Sequence, residues 1–266
     1  MGNSMLKYVL LASLLSLAAP AAAQEEGSQD AGADAGASQD ADMSAPAALD
    51  VSGEVSLLSD YRFRGVSRSD EDPAVQAAIN VNHASGLYVG ARGTTLRGLD
   101  SFRLRDPAFR DLGDVELDLY GGYGAQIGGG FSVDAGLLYY LFLGGEGRTD
   151  YVEPYASLSY LIGPVDLTAG AKYAPSQGAI GDEDMLYLFG QVDVSIPFRP
   201  WRFSALVGHQ DWGSFGSYWT WSLGVEHRLR LARGADAEIG LRYVDTSLPS
   251  LAGQDAGVVA SLGFSF

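Results

Sequence analysis

The sequence predicts an antiparallel transmembrane β-barrel of about 12 strands, roughly ten to fourteen at the bounds, and three observations carry that prediction. Apolar and polar residues alternate with a period of two from Val51 to Phe266. The connections between the alternating runs are short and long by turns. Aromatic residues collect towards the ends of the runs rather than their middles. A strand with one apolar and one polar face separates two unlike surroundings. Such strands, closed on themselves, satisfy every backbone group while turning an apolar face to lipid.

The N-terminus is expected to be removed. Lys7 precedes an apolar run from Tyr8 to Ala19, and Ala21-Ala22-Ala23 offers a small-residue cleavage site. Residues 1–23 therefore read as a signal peptide for the general secretory route. Residues 24–50 hold acids, alanine, glycine and serine, with no base and no aromatic, and repeat the tetrad Ser-Gln-Asp-Ala at Ser28 and Ser38. Such a segment has too little apolar surface to offset the entropy of ordering, so a disordered acidic leader is expected. Residues 51–266 are assigned to the barrel.

The opening run places Val51, Val55, Leu57, Tyr61 and Phe63 on one face and Ser52, Glu54, Ser56, Asp60, Arg62 and Arg64 on the other. It reads as one long strand, with Leu58 the exception. Val75 to Val81 and Leu87 to Ala91 continue the alternation. Val115, Leu117, Leu119 and Tyr123 oppose Asp114, Glu116, Asp118 and Tyr120. Phe131 to Tyr139, Ala156 to Ile162 and Val165 to Tyr173 follow, with Glu153 and Lys172 on the polar faces. In the second half, Leu186 to Ile196, Trp201 to Val207, Trp219 to Val225, Ala237 to Tyr243 and Ala256 to Phe266 alternate in the same way. Their polar faces carry Arg202, Glu226, Arg228 and Arg242.

Short connections are Ala84-Ser85-Gly86, the turn at Gly128-Gly129, Gly163-Pro164, and residues 197–200 and 231–234. Longer ones are residues 67–72, 97–112, 144–150, 175–183, 211–217 and 246–254. Short periplasmic turns opposite long outer loops are the pattern of outer-membrane barrels. Tyr61, Phe63, Tyr139, Tyr173, Trp219, Trp221 and Tyr243 then fall at the long-loop rim, and Tyr123, Phe131, Tyr160, Trp201, Phe203, Phe264 and Phe266 at the short-turn rim. Two aromatic girdles are what a bilayer's two interfaces select. A secreted sandwich would pack its apolar faces on each other and has no cause for this separation. The chain closes on Leu262-Gly263-Phe264-Ser265-Phe266, which resembles the terminal signal read by the barrel assembly machinery, an expected partner.

By parity, the lumen candidates are Asp60, Arg62, Arg64, Arg92, Asp114, Glu116, Asp118, Glu153, Lys172, Arg202, Glu226, Arg228 and Arg242. Their expected role is to line a pore for small polar solutes or ions. Acids exceed bases along the polar faces, so a mild cation preference is expected. With 17 Lys and Arg against 33 Asp and Glu, the chain carries a net charge of −16, the wrong sign for nucleic acid. There is no cysteine, hence no thiol catalysis, thiolate metal site or disulfide. His83, His209 and His227 are scattered and form no metal-ligand spacing, so no cofactor, metal or enzymatic activity is expected. Two alternatives stay open. Inward Tyr88, Tyr120, Tyr140 and Tyr155 can plug a barrel of this size, giving a closed structural, adhesion or ligand-binding barrel. An outer-membrane lipase would use His209 and Ser214.

The stretch LLSDYRFRGVSRSDEDPAVQAAINVNHASGLYVGARGTT, together with DVELDLYGGYG, FSVDAGLLYYLF and DYVEPYASLSY, resembles the TorF-family porins of bacteria. The Ser59–Gly65 element and Glu116-Leu117-Asp118 are the most specific matches. The resemblance covers about residues 52–175 well and the rest loosely; the second half, including the tryptophan-rich stretch 201–221, and the leader at 24–50 depart from it. It implies an outer-membrane barrel and a presumed porin, with no established substrate.

Overall fold

The computed structural model describes residues 48–97 and 112–266. The expected signal peptide, almost all of the acidic leader and most of the second long loop lie outside the described residues.

Twelve strands close into an antiparallel barrel. In chain order they are β1 (Leu49–Leu58), β4 (Ala74–His83), β5 (Leu87–Thr95), β6 (Gly113–Gly128), β7 (Phe131–Gly144), β8 (Tyr151–Ile162), β9 (Val165–Ala174), β10 (Met185–Ser195), β11 (Trp201–Asp211), β12 (Ser217–Ala232), β13 (Ala235–Thr246) and β14 (Gly257–Ser265). Two further strands, β2 (Arg62–Phe63) and β3 (Val66–Ser67), form a separate small hairpin between β1 and β4. Each barrel strand pairs with its sequence neighbour, and β1 pairs with β14 from Glu54↔Ser265 to Leu58↔Ser261. Strand β1 begins at Leu49, so Leu49 and Asp50 pair with His83 and Asn82 rather than ending the leader.

Phe266 completes the seam. It exchanges backbone hydrogen bonds of 2.8 and 3.0 Å with Gly53. Its ring covers that glycine so closely that a Cβ there would lie 2.6 Å from the ring.

The barrel is inverted relative to a soluble domain. Ile79, Val89, Leu137, Val207, Leu223, Leu241 and Val258 are all about half exposed on the outside. Glu116, Glu153, Thr94 and Ser56 are enclosed within. No helix is long and apolar enough to cross a membrane, a test that does not bear on strands.

Glycines in the strands make room for inward rings. Gly90 stands opposite Tyr120, Gly122 opposite Tyr88, Gly136 opposite Tyr155 and Gly170 opposite Phe189. A Cβ at any of the four would fall 2.4–2.6 Å from the facing side chain. Each ring thus lies sideways on the neighbouring strand, which a side chain larger than hydrogen would forbid. The same arrangement repeats diagonally where Tyr187 covers Gly208.

Candidate functional site

The first long loop, residues 59–73, does not stand above the barrel. It folds into it. The expected single strand through Arg64 stops at Leu58, and the chain turns back on itself at Arg64-Gly65, both with positive φ (50° and 91°). Two adjacent positive φ values are what a type I′ hairpin turn requires, and glycine supplies the second without steric cost. Asp60 organises the base of the turn: its carboxylate accepts from Ser67 (2.6 Å), Ser69 (3.0 Å) and the Arg62 Nε (2.6 Å).

The hairpin then spans the lumen. Arg64 donates through one terminal nitrogen to both oxygens of Glu153 on β8 (2.5 and 2.7 Å), and through the other to Gln210 on β11 (2.5 Å). Arg68 pairs with Glu116 on β6 at 2.5 Å, and the Tyr61 hydroxyl donates to the same carboxylate at 2.9 Å. Arg62 donates to the Asp255 carbonyl of the last long loop at 2.5 Å. At the tip, a Cβ on Gly65 would meet Thr246 and Thr220 at 2.4 and 2.6 Å, so the turn is pressed against β12 and β13. Phe63 meets Tyr140 edge to face, with Arg64 and Arg68 over its ring.

These contacts are strong because they are dry. Glu153 and Glu116 are fully enclosed, and the Arg64 side chain is 5% exposed. Ionised hydrogen bonds in such surroundings gain relative to water. Burial is the largest influence on Arg64 and works against its charge, but Glu153 together with Tyr140 and Tyr151 outweighs it and the net effect is upward; Glu116 with Tyr151 and Tyr61 does the same for Arg68. Burial first, and Glu116 next, push the Tyr61 phenol well up, which keeps it a donor.

Above the hairpin, Leu96, Phe142, Tyr151, Ile180 and Met185 pack with Tyr140, and Trp212 donates to the Ile180 carbonyl at 2.9 Å. Below it lies a cavity of about 60 Å³, lined by Arg62, Arg64, Arg92, Asp118, Lys172 and Tyr187 among others. That volume holds about four waters. Toward the short-turn end the wall divides. On β4 to β8, Tyr88 donates to Asp134 at 2.6 Å and bonds Tyr155, while Tyr120 donates to Asn80 at 2.5 Å. On β10 to β13, Arg202 pairs with Asp193 (3.0 Å) and stands opposite Glu226, and Arg228 pairs with Glu238 (3.3 Å).

The structure corrects two of the expected interface aromatics. Tyr61 and Phe63 lie inside the lumen, on Glu116 and Tyr140, because the hairpin carries them inward. Asp114 is exposed at the loop end of β6, beside a register shift, and stands at the rim instead of the narrow part. The remaining lumen candidates, from Asp60, Arg62 and Arg64 through Arg242, project inward. Tyr139, Tyr173, Trp201, Phe203, Trp219, Tyr243, Phe264 and Phe266 project outward and are exposed; Trp221 stands opposite outward Val207. Sequence reasoning missed Arg68 and Gln210. The available signal for the hairpin was the Arg64-Gly65 dipeptide, a turn mark inside an apparently regular alternation. His209 and Ser214 are not brought together: His209 packs on Trp219, and Ser214 bonds Glu183.

Residues 41–261 match the model of a family described as a bacterial protein of unknown function (Gcw_chp). No curated protein matches the sequence. Among solved structures, a KdgM porin is similar with a TM-score of 0.53 and 8% identity, over 81% of this chain and 98% of the other. A NanC porin is similar with a TM-score of 0.52 and 12% identity, over 82% and 99% of the two chains. Identities this low carry the fold alone.

Proposed function

The chain belongs to the Gcw_chp family of bacterial proteins, and from the lumen just described we propose a porin-type channel for small polar solutes or ions in the bacterial outer membrane. The observation that carries the reading is the inverted barrel: apolar outside, charged within, with a hairpin set across the passage. Resemblance in fold to two porins supports it. So does the earlier resemblance to TorF-family porins, which this reading adopts as the finer identity. The N-terminal segment is proposed as a cleaved export signal, and the Phe266 strand as the element read by the assembly machinery. The outward aromatics are proposed to sit at the two membrane interfaces. Acids outnumber bases along the inner wall, which supports a mild cation preference.

A second reading has a specific observation behind it. The cavity under the hairpin is small, and the hairpin is tied to three separate walls, so a barrel closed at rest and opened by hairpin movement is also consistent. One experiment separates the two. The chain is folded into planar lipid bilayers and current is recorded across a salt gradient, beside a variant with residues 62–67 replaced by two glycines. Steps from both chains support an open channel narrowed by the hairpin. Steps from the deletion alone support a closed barrel with a movable plug. Silence from both, with the fold intact, refutes the channel.

A further inference from the structure

Lys172 on β9 faces the cavity below the hairpin. Among the described residues it makes no hydrogen bond and no ion pair. It stands in register between Tyr155 of β8 and Tyr187 of β10, neither of which neutralises it. The charged groups that bear on it are Glu153, Asp118, Arg64 and Arg92. Glu153 is already engaged by Arg64 and by the Tyr140 hydroxyl at 3.0 Å. Asp118 stands directly opposite Arg92 across β5 and β6. The hairpin's other cations are engaged by its own acids and the wall, Arg62 by Asp60 and Glu71 and Arg68 by Glu116. The cavity wall itself carries four cations, Arg62, Arg64, Arg92 and Lys172, and one carboxylate, Asp118, and Lys172 adds its charge with no hydrogen-bonded partner among the described residues.

Lys172 is half-buried on this wall, and a cation partly withdrawn from water gains from a counter-ion. The chamber supplies no protein partner but does supply space, about 60 Å³. We propose that this cavity is a site for one small monoanionic group, either a free inorganic anion or the carboxylate of a small solute. Lys172 contributes the charge. Arg64, fixed by Glu153 and Gln210, and Arg92 present cationic edges to the same cavity. The hairpin roofs the chamber, so the bound anion and the plug share a wall. The anion offsets positive charge in the chamber, and the acid excess of the wider lumen acts on passing ions. The inference deepens the channel reading but does not need conduction, and its test reads binding instead of current.

The test follows chloride NMR linewidth on the barrel folded in detergent micelles, with wild type beside Lys172→Met and Lys172→Arg. Folding of each is checked by heat-dependent electrophoretic mobility. The expected result is an excess linewidth in wild type and Lys172→Arg that is lost in Lys172→Met. Formate or acetate that removes the excess identifies a site open to carboxylates; an excess removed by bromide alone identifies an inorganic-anion site. Equal linewidths in folded wild type and Lys172→Met, or no excess in either, overturn the proposal. A chain that binds chloride but stays silent in bilayers would refute the channel and leave the site standing.

Discussion

Replacing Arg64 by Met tests what holds the hairpin in the lumen. The change keeps most of the side chain's length and apolar stem but removes the guanidinium. Glu153, fully enclosed, then loses the donor that meets both of its oxygens, and Gln210 loses a 2.5 Å bond. Removing one partner of a buried ion pair costs about 3–5 kcal/mol, because the other charge is left dry and uncompensated. That cost falls on the inserted state alone, since water can reach Glu153 once the hairpin leaves. At about 1.4 kcal/mol per factor of ten, the balance between inserted and released hairpin shifts by a factor of about a hundred to a few thousand. Single-channel recording reads the shift as the fraction of time spent at a higher conductance level. Adding Glu153→Gln removes the stranded charge, so the double variant should return most of the way to wild-type behaviour. The reasoning is refuted by an Arg64→Met trace indistinguishable from wild type, or by a double variant as open as the single one.

Three further outcomes are expected. Gly90→Ala places a Cβ 2.4 Å from the Tyr120 ring and forces it off the wall, so the barrel should lose about 1–3 kcal/mol, read from denaturant unfolding in micelles. An unchanged midpoint would show that the ring can move freely. Leu137→Arg puts a charge on the outward face, where Leu137 is 55% exposed in mid-strand, and should cost about 2–4 kcal/mol when the chain folds into bilayers. The same cost in micelles lacking a hydrocarbon core of that thickness would argue against a lipid-facing wall. Tyr61→Phe removes the 2.9 Å bond to Glu116 and should weaken the hairpin by about 1.5–3 kcal/mol, seen as faster amide exchange across residues 59–73 with the barrel strands unchanged.

The barrel itself was legible because its cause is local. Lipid outside and polar space inside impose a period of two on every strand, and each strand carries that imprint in its own residues, as in Phe131 to Tyr139 or Trp201 to Val207. The glycines were legible only as a surplus. Their pairing with Tyr120, Tyr88, Tyr155 and Phe189 depends on register between strands, which composition does not contain.

The site was half legible, and the stretch from Asp60 to Arg64 shows why. Alternation assigns Asp60, Arg62 and Arg64 to the inside whether the strand continues upward or turns back into the lumen. It assigns Tyr61 and Phe63 to the outside only in the first case. The choice between the two rests on groups that are remote along the chain. Glu116 lies 48 residues from Arg68, Glu153 lies 89 residues from Arg64, and Gln210 lies 146 residues from it. From the sequence alone came the strands, their faces and the charges available to the lumen. Only the closed barrel brings β6, β8 and β11 around one segment at hydrogen-bonding distance, and those long-range ion pairs are what turn an outer loop into the roof of a chamber.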